Sequence, residues 1–348
     1  LMFDFFERVY IADKDTIEGP NAKSTAMGTG PFTFGEWVQG DHFSANKNKN
    51  YWQSGRPYLD GVHVAIIKDP SALTAAFEGG QLDVAQTGLS LRDFARLKAD
   101  TAHYHDFANI ISTGYSIVGM NTRNAPFSDK RVRQAMDAAM DRQRFVDTQL
   151  IGLATPMSLP WQSSSPAYDP TKKVAFDLDK AKSLLAAAGA SNITFDMLLG
   201  PGGDGPTFAQ IYQGDLAKIG ATMNIKNLDL ASWLDQVNNK KYSGLYWIPS
   251  ASAASPGAEL GTSRGWDPNE NNSGYSNADY TKLVTALNSE TDPAKLKTLY
   301  GQVNDFLLDD PFAFPIANTV PTSLARNNVQ GTAIRFLAGW ALVDAWLQ

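Results

Sequence analysis

The chain has 348 residues, 43% of them hydrophobic and 19% charged, a globular composition with room for about two domains that excludes a disordered or fibrous chain. Thirty Lys and Arg against 36 Asp and Glu give a net charge of −6 with no long block of either sign, so the basic stripe that nucleic-acid phosphates or an anionic membrane surface require is missing. There is no cysteine, which removes disulfides, thiolate metal sites and a cysteine nucleophile, and no apolar run approaches the roughly 18 residues of a membrane span.

The chain opens on Leu1-Met-Phe-Asp-Phe-Phe6, already apolar, and an upstream piece is expected to have been removed. From Asp60 to Lys68 the alternation puts Val62, Val64 and Ile66 on one face of a strand; Asp69-Pro70 then starts a short helix that Gly79-Gly80 stops, and Asp83 to Gln86 is the next strand. That order predicts a βαβ unit. A small helix follows near Leu91 to Lys98. The β-rich run Asn109 to Met120, broken at Gly114, is the kind of interrupted strand that carries a chain between domains. Val132, Ala135, Met136, Ala139, Val146 and Leu150 repeat at 3.6 residues and predict one amphipathic helix of about five turns. Pro156, Pro160, Pro166 and Pro170 mark an ordered, irregular excursion. A helix opened by Asp177 and closed at Gly189, a strand over Ile193 to Leu199, a helix over Pro206 to Ile219 and a strand over Thr222 to Leu228 predict a second βαβ unit. Asp229 caps a helix carrying Trp233, Leu234 and Val237, and Ser243 to Ile248 is a buried strand. Pro249 to Ser276 is too long for a simple connector and reads as a functional loop. Two helices follow, the second from Pro293. The alternation predicts α/β architecture with largely parallel sheets.

Among motifs, Gly200-Pro-Gly-Gly-Asp-Gly205 follows a strand and opens a helix as a dinucleotide loop does. Pro201 stiffens the turn and Asp204 would set a carboxylate against a pyrophosphate, so a plain glycine-rich βα turn is the better reading. His103 and His105 share a strand face without a Glu or Cys partner, and neither G-x-S-x-G nor H-E-x-x-H occurs. Adjacent Asp309 and Asp310 are expected to end a helix in solvent. Trp247, Trp266 and Tyr275 flank or lie within the long polar loop; they read either as a stacking wall for a polar ligand or as anchors in the core. Arg264, the loop's one cation, either meets a ligand carboxylate or phosphate or is simply solvated.

The run Gly28-Thr-Gly-Pro-Phe-Thr-Phe-Gly-Glu-Trp37 resembles the large extracytoplasmic solute-binding proteins of ABC importers, family 5, the peptide, opine and nickel-binding group. The resemblance continues through Asn50 to Asp60, Phe77 to Val84, Asn121 to Ala135, Leu216 to Gly220 and Gly274 to Asp279, nearly the whole chain. It implies the type II periplasmic-binding-protein clamshell: residues 1–116 as part of a first lobe, 117–318 as a second lobe, and 319–348 returning to the first, the lobes joined by crossing strands. Family members carry a further N-terminal region before the Gly28-Thr-Gly-Pro-Phe motif, and the resemblance implies that this chain lacks it. The resemblance further implies a periplasmic or extracytoplasmic location, with a membrane anchor at the missing N-terminus left open. It implies a membrane ABC permease as partner, a small-molecule solute as ligand, a monomer, and neither enzyme activity, cofactor, metal nor nucleic acid.

Peptide-binding relatives place, after the strand that follows the Trp233 helix, an aspartate that pairs with the peptide α-ammonium; by this alignment Ser252 stands there. An ammonium desolvated without that carboxylate loses on the order of several kcal/mol. An uncharged oligosaccharide or an opine-like compound is therefore expected ahead of a peptide. The expected ligand contacts are Gln86 and Thr87 after the Asp83 strand, Tyr115 beside the first crossing strand, and Trp247, Ser250, Ser252 and Arg264 from the second lobe. The alternatives left open are an oligopeptide-binding protein of the same family, a cleft enzyme or nucleotide-binding protein, and a binding module with no transport role.

Overall fold

The computed structural model describes residues 12–107, 114–201, 203–251, 255–335 and 339–348. The described residues divide into two compact units: a flanking unit, residues 12–107 and 321–348, and a central unit within 114–320.

The flanking unit begins with α1 (Lys14–Glu18) and a meander of β1 (Phe32–Val38), β2 (His42–Lys47) and β3 (Gly61–Ala65), all antiparallel. Helix α2 (Pro70–Glu78) is opened by Asp69, whose carboxylate accepts from the Ala72 amide at 2.7 Å, with Pro70 in the first turn where no amide is needed. β4 (Val84–Ala85), α3 (Leu91–Ala99) and β5 (Tyr104–Asp106) follow. The expected strand, helix and strand all form, but not as a βαβ unit. β3 pairs with β2, while β4 joins another sheet antiparallel to a strand near the C-terminus. A preceding hairpin strand gives β3 a local antiparallel partner. Ile66 falls just past β3 and is 41% exposed, so only Val62 and Val64 form the inner pair. Of the run read from Asn109, residues 109–113 lie outside the described residues.

The central unit starts with β6 (Gly114–Met120) and α4 (Lys130–Ala138). The single long helix expected over 132–150 is two helices, α4 and α5 (Arg142–Gln149). Asp141 turns out of helical geometry at ψ 82° and accepts from the Arg144 amide at 3.0 Å, so a capping carboxylate restarts the helix where the apolar period alone shows no break. α6 (Leu178–Ala187) is opened by Asp177, and Gly189 follows it at φ +65°. Then come β7 (Thr194–Leu199), α7 (Gly205–Lys218), β8 (Thr222–Asn227), α8 (Leu230–Asn238), β9 (Leu245–Ala251), α9 (Pro256–Thr262), α10 (Ala278–Ser289), α11 (Pro293–Asp309) and β10 (Ala313–Asn318). The loop expected from Pro249 thus contains the end of a strand and a helix of its own.

The sheet order is β10-β6-β9-β7-β8. β7 is parallel to β8 and to β9, as the second βαβ unit requires, whereas β6 is antiparallel to β9 and β10. The sheet is mixed, and the remaining described sheets are antiparallel, which corrects the expectation of largely parallel pairing. One face packs Tyr115, Ile117, Leu198, Tyr246 and Ile248 against α8 and the α9–α11 helices. Residues of the other parity, such as Val118 and Trp247, are buried on the opposite side. β11 (Leu324–Arg326) closes the flanking unit's small sheet between β4 and β5.

Asp309 is exposed and pairs with Lys130 at 2.6 Å, but Asp310 does not face solvent. It takes the guanidinium of buried Arg133 and the Tyr275 hydroxyl at 2.6 Å. Tyr275 in turn stacks on Phe312 with centroids 4.3 Å apart.

Candidate functional site

β7 and β9 run parallel, so their carboxyl ends share one edge of the central sheet, the edge beyond which open α/β sheets hold ligands. The glycine-rich turn after β7 and the segment after β9 both start there. A Cβ on Gly203 would come within 2.8 Å of the Trp247 ring and one on Gly205 within 2.6 Å, and Gly203 sits at φ +70°. What these glycines admit is the indole of Trp247, a physical reason for the motif that needs no nucleotide. Asp204 precedes α7 without a side-chain capping bond, and the surrounding protein raises its carboxyl above the ordinary carboxylate value. Trp247 is 1% exposed, and its Nε1 has no hydrogen-bond partner among the described residues.

Trp247 and Ser250 do not form one wall. They lie three residues apart on β9, so their side chains leave opposite faces. Trp247 stands opposite Val118 and Ser250 opposite Tyr115. On the Ser250 side the structure assembles a polar cluster. The Tyr115 hydroxyl donates to Glu259 Oε1 at 2.5 Å, accepts from Trp266 Nε1 at 2.7 Å and is hydrogen-bonded by the Ser250 hydroxyl. The Trp266 carbonyl accepts from the Tyr280 hydroxyl at 2.7 Å. Tyr115, Glu259, Trp266 and Tyr280 are all buried. Burial first, then the charge of Glu259, pushes the Tyr115 phenol well above its ordinary value, so it stays protonated and keeps donating. The cluster ties β6 to the segment after β9 at two points and fixes the backbone that presents Ser250.

Arg264 is exposed, with Glu270 3.7 Å away. Ser252 lies outside the described residues. Gln86 and Thr87 belong to the flanking unit just after β4; Gln86 is half-buried with its carbonyl accepting from the Ser323 hydroxyl, and Thr87 is exposed. Trp266 and Tyr275 are interior anchors rather than an open wall. Glu259 was absent from the sequence reading. Its signal was the Ser255-Pro256 helix start, which puts an acid in the first turn of α9, where Ser255 accepts from the Ala258 amide at 3.2 Å. His103 pairs with Asp100 and His105 with Asn327, and no group of three metal-ligating side chains occurs among the described residues.

The sequence profile of the bacterial extracellular solute-binding proteins, family 5, middle region, matches residues 1–271. The chain belongs to this family. Among curated relatives of this family 5 chain, the oligopeptide-binding protein AppA of Bacillus subtilis is 28% identical over 330 residues, 88% of this chain and 59% of AppA. The glutathione-binding protein GsiB of Salmonella typhimurium is 27% identical over 338 residues, 92% of this chain and 64% of GsiB. The chain thus spans about three-fifths of the length of the curated relatives it matches. Among solved structures, the periplasmic binding protein DppA from Helicobacter pylori, in complex with the peptide STSA, superposes with a TM-score of 0.80 at 23% identity, covering 97% of this chain and 68% of DppA. AgaA from A. tumefaciens R10, in complex with agropinic acid, gives 0.76 at 21% identity, covering 94% of this chain and 69% of AgaA. At these identities the likeness establishes the fold, that of the type II periplasmic binding proteins. No helix among the described residues is long and apolar enough to cross a membrane.

Proposed function

We propose that this family 5 chain is the solute-binding component of an ABC importer, acting outside the cytoplasm as a monomer and delivering a small polar solute, chemically unchanged, to a membrane permease. Capture is a closure of the two units, in which the solute's contacts select the closed state. The observation that carries this reading is the cluster of Ser250, Tyr115, Trp266 and Glu259 at the carboxyl edge of β9 in a chain of this family. It offers a hydroxyl on a braced strand end, the arrangement that recognises a polar ligand with little ordering cost. Gln86, Thr87, Ser252 and Arg264 are the remaining proposed contacts, with Trp247 bracing the glycine turn from behind.

A hydroxyl-rich solute, an oligosaccharide or an opine-like compound, suits a set of proposed contacts that is mostly hydroxyl and amide, with Arg264 as its one cation. A second reading, an oligopeptide, is favoured by the likeness to the oligopeptide-binding protein AppA and to DppA in complex with the peptide STSA. Titration calorimetry with sugars, opines and di- to pentapeptides separates the two. Saturable sugar or opine binding with no peptide response supports the first, tight peptide binding supports the second, and turnover of any of these compounds overturns both.

A further inference from the structure

The central unit contains a cavity of about 440 Å³ that none of the proposed solute contacts lines. It lies outside the β10 edge of the sheet, roofed by the proline-rich excursion and floored by the break between α4 and α5. Its walls are pinned from several directions. Arg142 Nε donates to the carbonyls of Met157 at 2.8 Å and Pro315 at 2.9 Å while its guanidinium meets buried Asp137. The Ser158 hydroxyl accepts from the Val174 amide at 3.0 Å. Trp161 Nε1 donates to Asn304 Oδ1 at 2.6 Å, and Asn304 Nδ2 donates to the Ala167 carbonyl at 2.9 Å. Walls held this way keep the space open to solvent and shaped before any ligand enters.

The lining chemistry narrows what fills it. Met157, Leu159 and Val174 present apolar surface, and Tyr168 and Phe176, each 41% exposed, are aromatic rings in the same wall. The charged groups are almost all compensated within the protein: Arg142 by Asp137, Lys172 by Asp305, Asp141 by the α5 amide it caps and Asp169 by Thr171. Lys173 is the lining charge with no such partner among the described residues. We propose that this cavity is a second ligand site, separate from the solute site, for a small aromatic or apolar molecule bearing one carboxylate, with the apolar body against Tyr168 and Phe176 and the carboxylate answered by Lys173.

The test is calorimetric titration of the whole chain with indole-3-propionate and, in parallel, its neutral amide. The expected result is one saturable site with a Kd at or below about 1 mM, about fivefold or more weaker for the amide. Lys173→Glu lowers carboxylate affinity by a similar factor and leaves the amide unaffected. Val174→Trp fills the cavity and abolishes binding of both. Because that variant alters a packed wall, Ser163→Trp, at an exposed lining position, serves as a second block with the same expected loss. Absence of saturable binding overturns the site, as does binding that survives Ser163→Trp with native circular dichroism; equal affinity for acid and amide overturns the carboxylate assignment. None of these results depends on which solute the proposed transport site takes.

Discussion

The two units use hydrophobic residues differently. In the central unit a five-stranded sheet is covered on both faces, and Tyr115, Tyr212, Tyr246, Trp247 and Trp266 are essentially excluded from solvent. In the flanking unit the β1–β3 meander contains no fully buried residue, and ten of the sixteen exposed large hydrophobic side chains among the described residues belong to this smaller unit. Trp37 and Phe43, paired across β1 and β2, are 48% and 36% exposed. The same alternation of apolar and polar residues therefore produces a core only where a second layer exists to receive it; without one it produces a locally paired hairpin whose stability rests on strand neighbours.

That contrast is broken most directly by a matched pair of substitutions. Trp247→Ala empties a fully buried site between strand and glycine turn and is expected to cost about 3–5 kcal/mol, whereas Trp37→Ala in the meander should cost about 1 kcal/mol or less. Equilibrium urea denaturation reads both. A Trp37→Ala loss as large as that of Trp247→Ala would mean that the meander's apolar face is packed in solution and that the contrast between the units is wrong.

A smaller effect sharpens the account of the central unit's polar interior. Tyr115→Phe keeps the ring and removes the hydroxyl that serves Glu259 and Trp266, leaving a buried carboxylate without that donor and an indole N–H without that acceptor. The expected loss is about 1–3 kcal/mol. Glu259→Gln retains an acceptor for the phenol and should lose less than Tyr115→Phe. Equal losses would show that the charge of Glu259, and not the hydrogen bond, holds the cluster.

How far this was legible from sequence depends on the range over which each signal acts. Asp69, Asp177 and Asp229 each cap the helix they were read to cap, because a cap bonds an amide two or three residues away and its whole mechanism is local. β7, α7 and β8 form their parallel unit for a similar reason: a fourteen-residue helix between two six-residue strands leaves few other arrangements. The pairing of β4 with β11, some 240 residues on, has no local signal at all. Nor does the association of Gly203 and Gly205 with Trp247. The glycine-rich turn was legible, but only the structure shows that an indole packs against it. The opposite facing of Trp247 and Ser250 was available from the two-residue period of a strand once β9 was known to extend to Ala251, and the reading that ended the strand at Ile248 hid it. Asp141 was the reverse case, a local capping signal overridden by an apolar period that continues through it.

The smallest expected effect lies in the flanking unit, where a half-buried histidine reports how strand neighbours act in the absence of a core. His42 Nδ1 lies 2.6 Å from an Asp41 carboxylate oxygen and Nε2 lies 3.5 Å from Glu36, while the His63 ring is 4.9 Å away, centroid to centroid. The hydrogen bond to Asp41 is the largest influence, opposed by desolvation and aided by Glu36, and it raises the His42 pKa above the ordinary imidazole value. A raised folded pKa means that the folded state holds its proton more tightly than the unfolded chain. The resulting stabilisation is fully present below the unfolded pKa and is lost as pH rises through the folded one. Imidazole resonances followed by NMR should therefore show His42 titrating above the ordinary imidazole value, and Asp41→Asn should move the His42 midpoint down. A midpoint unchanged by Asp41→Asn would show that the contact is too mobile in solution to bias the proton. Exposed pairs in this meander would then contribute even less than the open strand faces imply, and hairpin pairing would be left as its principal support.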